Sequence, residues 1–260
     1  AQRAASKQSF LVHGGSDRLP KALAAKLAER IHYGCPVHRI EHDATGVKAI
    51  CRQAGSHRIF EAEQLICTLP FSVLGRVEFS PRLSPEKQRA IAELAYTSVA
   101  RIFLQTSSKF WAAEGLSGTA LTDMPQMALF EKMQSNRGPR GMLENYTAGA
   151  QARTVTAMLA EERVGWALAQ ASAVHPAIAE HFERGASKCW DEDEWARGAY
   201  PWFRPGTMTE LLPHLGRAEG KVHFAGDVTS SHPGWMQGAL ASGVRAAAEV
   251  NGGRARTGLR

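Results

Sequence analysis

The densest chemical pattern in the chain lies near its end: Val222-His-Phe-Ala-Gly-Asp-Val-Thr-Ser-Ser-His-Pro-Gly-Trp-Met-Gln-Gly-Ala-Leu, running on to Ser242-Gly-Val-Arg245. A buried strand over 221–225 would end at Gly226, whose missing side chain lets a ligand reach the backbone. Asp227 then stands at the carboxyl end of that strand, where α/β sheets seat their ligands, and could bond the hydroxyls of a sugar or ribitol. After a Ser/Thr loop, a helix starting between Pro233 and Met236 offers free N–H groups and a positive dipole end, which suit an anion or a group becoming anionic. Plain packing of Ala and Gly between a strand and a helix gives a similar pattern, so the rest of the chain has to decide.

Other chemistries lack their parts. No G-x-S-x-G elbow and no phosphate-binding loop is present, which removes the mechanical core of a serine hydrolase or a nucleotide triphosphatase. Cys35, Cys51, Cys67 and Cys189 form no CxxC pair and read as free thiols, mostly buried. His38 and His42 are four apart, but their β-branched, alternating segment reads as a strand, not as a metal-binding helix. The 260 residues carry 31 Lys+Arg against 25 Asp+Glu, a +6 excess that is dispersed and does not form the basic face of a nucleic-acid binder. The densest basic stretch, Arg254, Arg256 and Arg260 behind Gly252-Gly253, reads as a frayed tail. With 44% apolar and 22% charged residues the composition is that of a globular protein, and no run approaches the ~20 apolar residues of a bilayer span. No hydrophobic segment of signal-peptide type follows the basic start, which fits a soluble chain, cytoplasmic or secreted after processing.

The positioning elements read as follows. Residues 9–15 suggest a strand entering a glycine turn, with a helix from Ser16 or Asp17 to about Gly34. Strands are expected at 36–42, 46–52, 57–61 and 64–68, the last apolar enough to be buried on both faces. Leu69-Pro70 stops it, and Phe79 to Pro85 reads as a linker before a helix at 85–94. A strand at 97–106, irregular antiparallel strands within 117–147, and two or three helices over 150–183 follow. An aromatic cluster (Trp190, Trp195, Tyr200, Trp202, Phe203) precedes the closing strand at 221–225 and a helix from Pro233 to Val250. No internal repeat is found. The expected class is α/β plus α+β: the two ends build one α/β unit and the middle is inserted into it.

The terminal pattern resembles the C-terminal flavin-binding motif of the FAD-dependent amine oxidase superfamily, which includes monoamine, polyamine and L-amino-acid oxidases. Further matches occur in the same order: Gly14-Gly15-x-x-Arg18-Leu19-Pro20, Pro36-Val37-x-x-Ile40, Cys67-Thr-Leu-Pro70, and Ser98-Val-Ala-Arg101-Ile-Phe-Leu104 on to Phe110-Trp111. The resemblance spans 9–250. It implies a partial Rossmann-like FAD-binding domain from 1–77 and 217–260, with a substrate-binding domain of mixed sheet and helices at 78–216. The family's opening G-x-G-x-x-G fingerprint is missing, so the chain resembles a C-terminal portion that holds FAD poorly without an N-terminal partner chain or segment.

The resemblance also assigns roles. Val37 would meet the adenine side of FAD; Gly226, Asp227, Gly234 and Met236 would line the cofactor; Trp190 would lie beside the flavin. Trp235 and Tyr200 would be facing aromatic walls guiding the amine-bearing carbon to the flavin. Arg101 replaces a lysine that in the family holds a water at flavin N5; arginine keeps the charge but cannot act as a base, and could anchor that water or bind a carboxylate. Ala199 stands where some members have the cysteine that links FAD covalently, so binding should be non-covalent. The implied reaction is oxidative deamination of an L-amino acid or primary amine to an imine and then a carbonyl compound, with ammonia and hydrogen peroxide. The Gly234-Trp235 pair leans towards amino acids. Monoamine or polyamine oxidation, amino-acid monooxygenation, and a non-catalytic scaffolding role are the alternatives. Expected partners are the small substrate, O2, the N-terminal portion and further copies of the chain.

Overall fold

The computed structural model describes residues 12–53, 55–132 and 138–252. Of the strand entering a glycine turn expected over 9–15, residues 9–11 lie outside these; the turn is present over 12–15, where the Gly15 N–H donates to the Val12 carbonyl at 3.0 Å and Gly14 and Gly15 take φ of 82° and 106°. Helix α1 (Arg18–Leu27) follows Asp17 and runs into a 3-10 turn over Ala28–Arg30. Its leucines, Leu19, Leu23 and Leu27, recur on one stripe, yet no residue of α1 is buried.

Strands β1 (Val37–His42), β2 (Val47–Gln53) and β3 (Ser56–Ala62) form an antiparallel meander near the expected bounds, with His38 and His42 both on β1. Strand β4 (Leu65–Cys67) is only half covered: Cys67 is buried but Ile66 is 38% exposed, which corrects the expectation of burial on both faces. Helix α2 (Phe71–Leu74) starts after Pro70. The expected linker opens as a strand, β5 (Glu78–Ser80), because residues 78–80 pair in parallel with β1. Helix α3 (Pro85–Glu93) matches its expected place, with Ser84 Oγ accepting the Lys87 N–H at 3.3 Å and Pro85 pre-set for the first turn.

A short strand β6 (Ala95–Tyr96) leads to β7 (Val99–Thr106), β8 (Ala120–Leu121), β9 (Ala128–Glu131) and β10 (Gly141–Ala148). Helices α4 (Gly149–Thr156), α5 (Ala160–Val174) and α6 (Ile178–His181) follow, and then β11 (Phe182–Cys189), a strand that begins within the stretch expected to be helical and runs on where no element was expected. The sheet runs β11-β7-β10-β9-β8, antiparallel throughout. On β7 every second side chain, Ala100, Ile102 and Leu104, is fully buried and packs in one cluster with Ala152 and Val155 of α4 and Ala167 and Ala171 of α5. Each buried Ile or Leu there contributes roughly 1.5–3 kcal/mol. The alternation turns Val99, Arg101 and Phe103 to the opposite face.

Beyond the aromatic cluster, β12 (Pro201–Trp202) pairs with β6, and α7 (Thr207–Leu215) adds a helix not read from the sequence. Strand β13 (Val222–Phe224) is buried throughout and pairs in parallel with β4. Helix α8 (Met236–Val250) starts three residues after Pro233, because Gly234 has a φ of 80° that no helix admits. A first core joins Ile40, Phe71, Leu74, Leu83, Leu211, Leu215, Val222 and Phe224. Lys87 is fully buried in it, donating to the carbonyls of Leu215 (2.8 Å) and Arg217 (2.9 Å) over the Phe224 ring, and burial pushes its pKa down to about 7. All four cysteines are free; three are buried and Cys35 is half-buried.

Candidate active site

The site begins where β13 stops. Gly226 has a φ of 136°, and its N–H donates to Ser242 Oγ of α8 at 2.8 Å. Its chain neighbours aside, no atom of the described residues lies within 4 Å of where a Cβ on Gly226 would stand. Asp227 opens a 3-10 turn over Asp227–Thr229, and its Oδ2 accepts the Gly234 N–H at 2.6 Å. That bond closes the loop, so the aspartate has a structural task beside any contact with a ligand. The loop packs tightly onto α8: a Cβ on Gly238 would overlap the His232 carbonyl oxygen and Ser230 Oγ. Arg245 fastens the same helix to the strand, donating to the Phe224 carbonyl at 2.7 Å.

The loop thereby delivers Trp235 to the rim of a cleft of about 740 Å³, lined by Val99, Arg101, Tyr146, Trp190, Ala199, Tyr200, Pro233, Gly234, Trp235, Met236 and Gln237. A neighbouring hollow of about 320 Å³ shares Ala199, Tyr200, Gly234, Trp235 and Met236 and adds Tyr96 and Asp227. A Cβ on Gly234 would lie 3.6 Å from the Cγ of Tyr200, so the glycine lets the loop close against that ring. Trp235 is 67% exposed and Tyr200 47%, which excludes plain core packing for either within this chain. The structure therefore brings together Arg101, Trp190, Tyr200, Gly234, Trp235 and Met236, with Asp227 beside them and Gly226 one residue away. Val37 is not among them. It is half-buried at the start of β1, packs against the first core and lines neither hollow.

The sheet face supplies the rest. Arg101 on β7 is in register with Tyr146 on β10 and Lys188 on β11. Its guanidinium grips the fully buried carboxylate of Glu144 through two nitrogens, with Nη2 to Oε2 at 2.9 Å, and Lys132 Nζ reaches the same Oε2 at 2.8 Å. Trp190 lies just past β11, its ring beneath Lys188 Nζ at 4.8 Å. Sequence reasoning missed Glu144 and Tyr146; the only signal for them is the alternation along Gly141–Ala148. Burial, reinforced by hydrogen bonding with Tyr200, pushes the Tyr146 hydroxyl up to about 12. Burial likewise raises Tyr96 to about 12, where its hydroxyl accepts the Phe71 N–H at 3.1 Å. Arg101 is the one formally charged group among the residues lining the larger cleft.

The family model of flavin-containing amine oxidoreductases matches residues 3–251, and the chain belongs to that family. Among its relatives, YobN of Bacillus subtilis (strain 168), whose name assigns it provisionally to the L-amino-acid oxidases, is 33% identical over 251 residues, which are 93% of this chain and 52% of YobN. The L-amino-acid oxidase of Pseudechis australis is 28% identical over 244 residues, 92% of this chain and 47% of that protein. In fold the chain is similar to the cyclohexylamine oxidase of Brevibacterium oxydans IH-35A, with a TM-score of 0.83, 24% identity, and coverage of 91% of this chain and 52% of that one. The chain thus spans about half the length of the relatives it matches. No helix among the described residues is long and apolar enough to cross a membrane.

Proposed function

We propose that this chain forms the substrate-facing and flavin-facing half of an enzyme for oxidative deamination of an L-amino acid or primary amine, yielding an imine and then a carbonyl compound, ammonia and hydrogen peroxide. The observation that carries this reading is the exposed pair Tyr200 and Trp235 on a cleft that also holds Arg101 and Trp190. The residues fit a flavin: Gly226 leaves its strand end open to a planar or chain-like ligand, and the aromatic lining suits a ring. When bound, a flavin supplies a two-electron acceptor for the hydride equivalent of the amine-bearing carbon, and passes those electrons to O2.

In this reading Tyr200 and Trp235 flank the amine-bearing carbon, their π faces tolerating the nitrogen. The N–H groups at the start of α8 would favour negative charge on a flavin held there. The substrate amine arrives neutral in this scheme, so no side chain of the cleft has to serve as a base. Ala199 lines the cleft with a methyl group that can form no link to a cofactor, so FAD is held non-covalently.

The same reading divides the chain into a Rossmann-like FAD-binding part, 1–77 and 217–260, and a substrate part, 78–216. A second polypeptide portion completes the first. Three features support that: among the described residues β4 and β13 make a parallel sheet of two strands, α1 buries none of its residues, and Leu240 and Val244 of α8 are exposed. The test is to purify the native assembly, weigh its chains intact, and record its flavin spectrum before and after anaerobic addition of amino acids and amines. Bleaching by either supports the reading; a colourless assembly containing both portions overturns it. A full flavin spectrum from this chain alone would remove the need for the second portion.

A further inference from the structure

Glu144 has no part in the reading above, yet it is the fully buried carboxylate nearest the cleft's only charged lining residue. We propose that Glu144 is a positioning residue that makes Arg101 an anion-binding group, so that the cleft takes a carboxylate on its sheet side. This inference rests on the cleft being the substrate site.

The sheet geometry builds the device. Arg101 and Tyr146 are register partners, and Glu144, two residues earlier on β10, pairs with Phe103, so all three share the face turned from the core. Glu144 holds the guanidinium along the edge formed by Nε and Nη2. A guanidinium is a rigid plane, so fixing one edge fixes the direction of the other. Among the described residues Nη1 takes no hydrogen-bond partner, and the Arg101 side chain is 37% exposed. A buried carboxylate is costly unless paired, and here it is paired twice, to Arg101 and to Lys132. No Asp or Glu lines the cleft to oppose an anion there. Tyr146, Trp190, Tyr200 and Trp235 surround the spot with ring faces, which suits a carboxylate carried on an apolar body.

The roles of position and charge can be separated, because they predict opposite signs. Calorimetric titration of the full chain with benzoate and with benzylamine should show benzoate bound and benzylamine at least about tenfold weaker. Arg101→Lys keeps the charge but loses the fixed edge, and should weaken benzoate about tenfold or more. Glu144→Gln removes a negative charge, so simple attraction predicts tighter benzoate binding, whereas positioning predicts binding weakened about fivefold. Near-UV circular dichroism checks that this variant folds. If it does not, Lys132→Gln decides: the Arg101–Glu144 grip remains, and benzoate affinity should stay within about threefold. The proposal is overturned if the wild-type chain fails to bind benzoate, if Glu144→Gln binds it as tightly or more tightly, or if Lys132→Gln costs as much as Arg101→Lys. Benzoate binding without any flavin bleaching would sink the oxidase reading and leave this subsite; bleaching by amines without benzoate binding would do the reverse.

Discussion

On one side of the cleft, Arg101, Tyr146 and Trp190 stand on or beside strands whose far face is buried under α4 and α5; on the other, Asp227, Gly234 and Trp235 stand on a loop between β13 and α8. The first side is held by burial of apolar surface and by a carboxylate locked between two cations. The second is held by short-range polar ties, Asp227 to Gly234 and Ser242 to Gly226, while the outer face of α8 keeps Leu240 and Val244 in the open. A wall fixed by its own core keeps its geometry without help. A wall fixed by local hydrogen bonds, with apolar residues uncovered beside it, is where the proposed second portion would pack.

Truncations on the two sides should separate most widely. Ile102→Ala, in the fully buried sheet core, should cost ~2–5 kcal/mol in urea denaturation of this chain. Leu240→Ala, half exposed on α8, should cost less than ~0.5 kcal/mol in the same experiment. It should cost clearly more in an assembly that covers α8; equal small losses in both would mean that nothing packs on that face.

A second test strikes the loop itself. Gly238→Ala forces a methyl against the His232 carbonyl and Ser230 Oγ, and should destabilise by ~1–3 kcal/mol while dislodging Trp235 from the rim. A neutral outcome in denaturation would show that the loop yields easily.

The first core carries a pH signature. Lys87 has a folded pKa of about 7 against an ordinary value of 10.5, so between those limits the unfolded chain holds a proton that the folded chain does not. Stability should therefore rise with pH from about 7 towards 10, at up to ~1.4 kcal/mol per unit, and Lys87→Met should flatten that rise. Above pH 10 the sign reverses, because Tyr96 and Tyr146 keep their protons to about 12 when folded and lose them sooner when unfolded. Melting temperatures across pH 6–11 for wild type and variant check both slopes; identical curves would mean that Lys87 stays charged in the fold.

What could be read in advance follows the range of the interactions. The meander of β1 to β3, α3 and the turn from β13 to α8 announce themselves through alternation, capping residues and glycine, all within a few positions. Strand β11, with its Gly185, Lys188 and Glu183, looks unlike a strand until β7 pairs with it, and α7 hides behind Pro213. The rim residues Tyr200 and Trp235 were legible because each sits in a short motif. Glu144 was not: its meaning lies in a grip on a residue 43 positions away, which only the register of β7 and β10 creates. Val37, expected on the adenine side of FAD, lies outside the cleft and packs against the first core.

Trp235→Ala in the native, flavin-bearing assembly addresses the proposed chemistry most directly. In this chain Trp235 is largely exposed, so in urea denaturation of the chain its removal should shift stability by no more than ~0.5 kcal/mol. Anaerobic bleaching of the flavin by an amino acid or amine, followed by rapid mixing, should nevertheless slow about tenfold or more, because one wall of the slot has gone. Unchanged bleaching in a folded variant, or no bleaching of the wild-type assembly by any amine, would contradict the role given to this cleft.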